Sequence, residues 1–296
     1  MMKKMSGVVV AMTTPFAEDG SIDYAVLEAQ TDFLIERGIT CLYPCGTTGE
    51  MHFLSCDERK KVAETVVKRS NGRADVFVQC GAITEKETME LITHAKEIGA
   101  DGVGVVTPSF FGLTPKEMFG FFKKVSETAG EDFPVYLYNI PQCSGNDITA
   151  EVCEKLAHEC KNIVGIKYSW NNPERISDYL AIEDYNFSVL VGLERHFLPY
   201  LSLGCDGVVS GCSNAFPEIF VAMYNAFQDG DMKKALELQR KIDKLVKILT
   251  AEQGNASVKA AQQMRGIGEG RMRSPLQSKD PEKLEAFKEQ IKEFLQ

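Results

Sequence analysis

No apolar run in this chain approaches the roughly 20 residues that a membrane-spanning helix needs. The early segment Met1-Met2-Lys3-Lys4 leads only into Val8-Val9-Val10, too short for the apolar part of a secretion signal. The expectation is a soluble, cytoplasmic protein with no membrane partner. An excess of positive charge is also missing. The net charge is −9, with acidic and basic residues interspersed, which argues against nucleic acid as a partner. The cysteines lack metal-site spacing: Cys41 and Cys45 are followed by no second pair and no paired histidines. His52, His94, His158 and His196 form no cluster in sequence. An odd count of nine cysteines reads as reduced thiols and not as a disulfide framework. No metal and no cofactor is expected.

What is present is a large apolar fraction with a period. Of 296 residues, 44% are hydrophobic, enough to bury a sizeable core. Strand-like runs recur at roughly the 30-residue spacing of a βαβ element. They are Gly7–Met12, Thr40–Pro44, Asp75–Cys80, Gly102–Val106, Pro134–Tyr138, Ile163–Lys167, Phe187–Val191 and Gly207–Ser210. Most are continuous apolar runs, which suit parallel strands buried on both faces. Helices start between them. Ser55-Cys56-Asp57-Glu58, Thr84-Glu85-Lys86-Glu87 and Thr114-Pro115-Lys116-Glu117 read as capping boxes. The first helix, Tyr24–Arg37, puts Val26, Ala29 and Phe33 on one face. Gly99-Ala100-Asp101-Gly102-Val103 and Gly204-Cys205-Asp206-Gly207-Val208 repeat one helix-to-strand turn. The pattern predicts an α/β fold, a (β/α)8 TIM barrel, over residues 1–228. An open doubly wound sheet is disfavoured, because no Gly-x-Gly-x-x-Gly follows the first strand. Residues 229–296 read as a C-terminal helical appendage, with helices at Met232–Leu249 and Pro281–Leu295.

In such barrels the chemistry sits at the C-terminal ends of the strands. Strand six ends at Lys167. An ammonium beside so much apolar sequence is paired, functional or reaching solvent. Burial favours the neutral amine, and a neutral amine attacks ketones to form Schiff bases. Strand five ends at Tyr138, whose phenol can relay protons. Strand two is followed by Gly46-Thr47-Thr48-Gly49-Glu50, whose hydroxyls and backbone N–H groups can hold a carboxylate or phosphate. Each has an ordinary reading: a solvated lysine, a rim tyrosine, a glycine-rich turn. Together they make an amine nucleophile, a proton relay and an anion cradle on one barrel face. That set matches carbonyl chemistry on a small 2-oxo acid.

The chain resembles the dihydrodipicolinate synthase / N-acetylneuraminate lyase family of class I aldolases. The resemblance runs over nearly the whole chain. It is carried by Gly46-Thr47-Thr48-Gly49-Glu50, Tyr138-Asn139-Ile140-Pro141, Gly165-Ile166-Lys167 and Gly207-Val208-Val209-Ser210. It implies a (β/α)8 barrel with C-terminal helices, a homotetramer built as a dimer of dimers, and small-molecule substrates: pyruvate or another 2-oxo acid, and an aldehyde. It implies that Lys167 forms the Schiff base and that Tyr138 shuttles protons. Gly46, Thr47 and Thr48 would orient the carboxylate, Thr47 and catalytic Thr48 would complete the relay, and the backbone around Val209 would line the pocket.

Two departures bear on the second substrate. Lysine-pathway synthases carry an arginine two residues after the proline of the tyrosine motif; here Cys143 stands there. They also borrow a tyrosine from the neighbouring subunit, where this chain has Phe110 and Phe111. Sialic acid lyases share the Ser144-Gly145 ending but carry an acidic pair after the strand-seven glycine. Here Gly192-Leu193-Glu194-Arg195 keeps one carboxylate. Glu194 is a candidate for a substrate hydroxyl, and Arg195 for a distal carboxylate. Their ordinary reading is the start of a solvated helix. Two further readings compete: a non-catalytic 2-oxo acid sensor, and a phosphate-binding barrel using Ser210-Gly211-Cys212-Ser213.

Overall fold

In the computed structural model, which describes residues 2–182, 186–252 and 254–295, eight parallel strands close into a barrel in sequence order. They are β1 (Gly7–Ala11), β2 (Cys41–Tyr43), β3 (Asp75–Gln79), β4 (Gly102–Val106), β5 (Val135–Asn139), β6 (Ile163–Tyr168), β7 (Ser188–Val191) and β8 (Gly207–Ser210). β1 closes on β8 through the register Gly7↔Gly207 to Val10↔Ser210. All eight expected strands form: Gly102–Val106 and Gly207–Ser210 keep their expected bounds, and the shifted ends of the others move by one residue. β5 and β6 each run one residue further than their patterns suggested.

The barrel has two apolar layers. Residues pointing outward, such as Val8, Val10, Leu42, Val103, Leu137 and Ile166, join the helices in one large core. Residues pointing inward, including Val9, Tyr43, Phe77, Tyr136, Leu190 and Val209, fill the interior. Two inward aromatics need room that neighbouring strands give up. A Cβ on Gly104 would lie 1.9 Å from the Tyr43 hydroxyl, and one on Gly165 would lie 2.4 Å from the Tyr136 ring. Glycine at those two strand positions therefore sets which side chains occupy the barrel. The Tyr136 hydroxyl bonds Ser188 and accepts from the backbone of Met5, tying the N-terminal segment under the barrel floor.

Ser55 and Thr114 form reciprocal capping boxes. Thr84 forms half of one. It caps Glu87 N–H, but the Glu87 carboxylate accepts from the Thr84 hydroxyl and not from its backbone N–H. The repeated turns share one bond: Asp101 accepts from Val76 N–H and Asp206 from Val189 N–H, both at 2.8 Å. Each aspartate thus fastens its turn to the preceding strand.

The first helix runs Tyr24–Glu36, and of its expected inner face Phe33 is buried and Val26 half-buried. Leu27, Gln30, Thr31, Phe33 and Leu34 are buried, and Ala29 faces solvent. Polar Gln30 goes inside because its amide donates to Thr13 and Asn214 at 2.9 Å. Met232–Leu249 is helical as expected. A further helix at Gly254–Met264 lacked an apolar stripe; its alanines and polar residues are packed on nearly every side. The expected helix over 281–295 is broken into a turn at Pro281–Lys283, a helix at Leu284–Ile291 and a final turn at Lys292–Phe294. Only Phe287 and Ile291 of that helix are buried, too short a stripe to hold a longer one.

Candidate active site

Tyr138 and Lys167 are cross-strand partners of β5 and β6, so both side chains enter the barrel at one level. Lys167 is 4% exposed and Tyr138 2%. Lys167 Nζ lies 3.9 Å from the centre of the Tyr138 ring and 5.1 Å from that of Tyr43. The two rings stand edge to face, 86° apart. The amine therefore sits in an aromatic corner, with no carboxylate paired to it among the described residues. Both rings lie within cation–π distance of that nitrogen. Tyr43 was missed in the sequence because it lies within an apolar strand and belongs to no motif. Burial pushes its phenol well above the ordinary tyrosine range.

The Tyr138 hydroxyl is hydrogen-bonded to Thr47 Oγ1 at 3.1 Å. That bond links β5 to the turn after β2. The turn is tightly held. Glu50 N–H donates to Thr47 O at 3.1 Å, Met51 N–H to Gly46 O at 3.3 Å, and Thr14 Oγ1 to Gly49 O at 2.7 Å. Cys45 and Glu50 flank it in left-handed backbone, at φ 63° and 59°. Neither is glycine, so each costs roughly 1–2 kcal/mol that surrounding contacts must offset. Thr47 is exposed toward the mouth, Gly46 is buried, and the Thr48 side chain packs against Gly211 beyond β8. Val209 lies in the barrel interior, within the same apolar cluster as Tyr43. Lys167, Tyr138, Thr47, Thr48, Gly46 and Val209 thus converge on one mouth.

The remaining candidates divide. Gly192 packs against Ser169 at the end of β6. Glu194 does not simply start a solvated helix. It is half-buried, and its Oε1 accepts from Ser210 Oγ at 3.1 Å, Gly211 N–H at 3.1 Å and Cys212 N–H at 3.4 Å. The chain's own carboxylate takes the donors that a phosphate would use in Ser210–Ser213. Arg195 is exposed, as a solvated start would have it. Cys143 is exposed on a four-residue helix, Pro141–Ser144, whose Gln142 side chain donates to Ser169 O at 2.8 Å. Phe110 is 90% exposed at φ 78°, stacked edge to face on Phe111 at 5.0 Å.

The chain matches the Dihydrodipicolinate synthetase family over residues 4–294. It belongs to that family. A DapA-like lyase of Pyrococcus horikoshii is 41% identical over 266 residues, 89% of this chain and 91% of the relative. The 4-hydroxy-tetrahydrodipicolinate synthase of Aquifex aeolicus is 36% identical over 97% of each chain. The crystal structure of the dihydrodipicolinate synthase from Aquifex aeolicus matches with a TM-score of 0.93 over 98% of both chains. YagE, an E. coli K12 prophage protein solved in complex with pyruvate, matches with a TM-score of 0.92 at 27% identity over 98% of both. This member of the dihydrodipicolinate synthetase family is a lyase with a (β/α)8 barrel.

Sequence reading also passed over a buried ion pair in this family member. Lys259, on the helix Gly254–Met264, is paired with Glu50 Oε1, with side-chain exposures of 4% and 0%. Glu50 had been read only as the end of the turn motif, and Lys259 lay in what looked like an ordinary helical tail. Burial pushes Lys259 down to about 8, against the opposing pull of Glu50. No helix among the described residues is long and apolar enough to cross a membrane.

Proposed function

We propose that this lyase forms a Schiff base between Lys167 and C2 of pyruvate, or of another 2-oxo acid, and makes or breaks a C–C bond to an aldehyde. The observation that carries the reading is the buried, carboxylate-free setting of Lys167 Nζ beside Tyr138, which is itself bonded to Thr47. The amine adds to the ketone, and the carbinolamine loses water to give the iminium. Tyr138 and Thr47 carry the protons that this exchange requires. The iminium withdraws electrons, so loss of a methyl proton gives an enamine that attacks the aldehyde carbonyl. Hydrolysis returns the lysine. Gly46, Thr47 and Thr48 hold the carboxylate. YagE's complex with pyruvate supports the first substrate.

The aldehyde half is read as N-acetylneuraminate lyase-like or 2-keto-3-deoxy sugar acid aldolase-like. Cys143 cannot supply the bidentate carboxylate pairing of an arginine. Glu194 keeps a second oxygen for a substrate hydroxyl. The synthase reading keeps one specific support, the relative in Aquifex aeolicus that bears that name. The exposed Phe110–Phe111 pair fits a contact with a second copy, as in a dimer of dimers. Nine cysteines outside any disulfide fit a cytoplasmic enzyme.

The test is incubation with pyruvate and borohydride, followed by digestion and mass mapping. A reduced adduct at Lys167 is expected. Its absence at saturating pyruvate sinks the proposal. Pyruvate release from N-acetylneuraminate and condensation with aspartate semialdehyde then separate the two aldehyde readings. A trapped adduct without turnover of any aldehyde would point to a sensor.

A further inference from the structure

Glu50 ends the turn motif, and its carboxylate is fully buried. Its Oε1 is paired with Lys259 Nζ, and its Oε2 accepts from Arg273 N–H at 3.0 Å. Lys259 Nζ also donates to Arg271 O at 2.9 Å and lies 4.3 Å from the centre of the Phe16 ring. Both partners therefore sit more than 200 residues downstream, in the C-terminal segment. That segment reaches the turn at another point: Asn255 Nδ2 donates to Thr47 O at 3.4 Å. Its next turn touches the end of β1, where Thr13 Oγ1 donates to Gln262 Oε1 at 2.8 Å. The C-terminal helix is thus bonded to the catalytic-face loops after β1 and β2.

We propose that Glu50 is a positioning residue that, through its buried pair with Lys259, fixes the Thr47–Thr48 turn in the shape that receives the 2-oxo acid's carboxylate. The inference rests on the proposed Schiff-base chemistry. Its physical basis is strain and reach. Glu50 is two residues from Thr48 and sits in left-handed backbone, a conformation that persists only where surrounding contacts over-determine it. The contacts that do so are the ion pair and the Arg273 N–H bond. A carboxylate held on both oxygens leaves the residue little freedom to rotate, and Glu50 N–H is the donor that closes the turn onto Thr47 O. Loosening Glu50 therefore moves the backbone of the carboxylate cradle. A misplacement of about 1 Å is enough to weaken a preorganised site strongly.

The test compares wild type, Glu50→Gln, Lys259→Met and the double variant Glu50→Gln/Lys259→Met in the full chain at pH 8.5. Glu50→Gln is nearly isosteric, and at that pH Lys259 can shed the proton that would otherwise be buried unpaired. The double variant leaves no uncompensated charge at all. The readout is the pyruvate concentration for half-maximal borohydride trapping at Lys167, together with the trapping rate at saturation and a melting curve. The expected result is a rise of about tenfold or more in half-saturating pyruvate for each variant that melts cooperatively, with the saturated rate changed less than threefold. A double variant that costs no more than the worse single is also expected, since the pair acts as a unit. Half-saturating pyruvate that stays within twofold of wild type in a cooperatively melting variant overturns the inference. So does a loss confined to the saturated rate. Should every substitution abolish cooperative melting, the pair is a general structural element and the specific positioning role is likewise overturned. If the wild type itself is not trapped by pyruvate, the Schiff-base reading fails, which is a distinct outcome.

Discussion

Tyr43 tests the aromatic corner directly, because its ring and its hydroxyl make opposite demands. The ring faces Lys167 Nζ at 5.1 Å, while the hydroxyl is buried, points at Gly104 and has no partner among the described residues. An unpartnered buried hydroxyl costs about 1–3 kcal/mol. Tyr43→Phe removes that cost and keeps the ring. The expected result is a urea midpoint equal to or above wild type and a pyruvate-trapping rate within about twofold. Tyr43→Leu removes the ring face. A cation–π contact out of water is worth about 1–2 kcal/mol, and the nearer Tyr138 ring holds the larger share. Losing about 1 kcal/mol of iminium stabilisation slows trapping roughly fivefold. The hole left in the barrel lowers stability by roughly 1–3 kcal/mol. Gly104→Ala attacks the same ring from the other side, since its Cβ would lie 1.9 Å from the hydroxyl and 2.7 Å from the ring. That overpacking costs about 1–3 kcal/mol, and Tyr43→Leu should relieve it, so the double variant is more stable than the sum of the singles. A Phe variant as slow as the Leu variant would show that the hydroxyl acts, and would refute the aromatic-corner argument. Additive losses in the Gly104 pair would refute the packing part.

Thr47→Val removes the hydroxyl that meets Tyr138, and about a tenfold or greater loss in trapping rate is expected, with melting unchanged because Thr47 is exposed. If Cys143 borders the aldehyde as proposed, Cys143→Arg should raise turnover of carboxylate-bearing aldehydes relative to neutral sugars when the two are assayed side by side. The Glu58 carboxyl is held below its ordinary value of 4.5, first by its hydrogen bonds from Arg273 and then by those from Ser55. Below about pH 4.5 the unfolded chain then binds more protons than the folded one, so this contribution is present above that pH and lost as the pH falls through the lowered value. Arg273→Met should flatten the fall of the urea midpoint between about pH 5 and 3, and an unchanged slope would count against it.

How much was legible in the chain depended on range. The strand runs, the helix starts and the order of the motifs are local, and each carries its own signal. Continuous Val, Ile and Tyr runs suit parallel strands buried on both faces, and eight in succession with helices between them and no dinucleotide-binding glycine pattern point to a closed barrel. Lys167, Tyr138 and the Gly46–Glu50 turn could be assigned to one face because all three follow strand ends, and parallel strands place those ends together. Thus the fold class was determined by sequence alone, and so was the choice of Lys167 as the candidate nucleophile. What required the folded molecule was every pairing across the barrel or to the C-terminal segment. Tyr43 reads as one more core aromatic until Gly104, 61 positions away, leaves the space that lets its ring meet Lys167. Gln30 reads as a surface residue until Thr13 and Asn214 meet it inside. Nothing local links Glu50, at the end of the turn motif, to Lys259 until burial makes each the other's partner. Local sequence encodes which way a backbone segment runs and which face is apolar. Which polar groups are safe inside depends on partners that only the closed barrel brings within hydrogen-bonding distance.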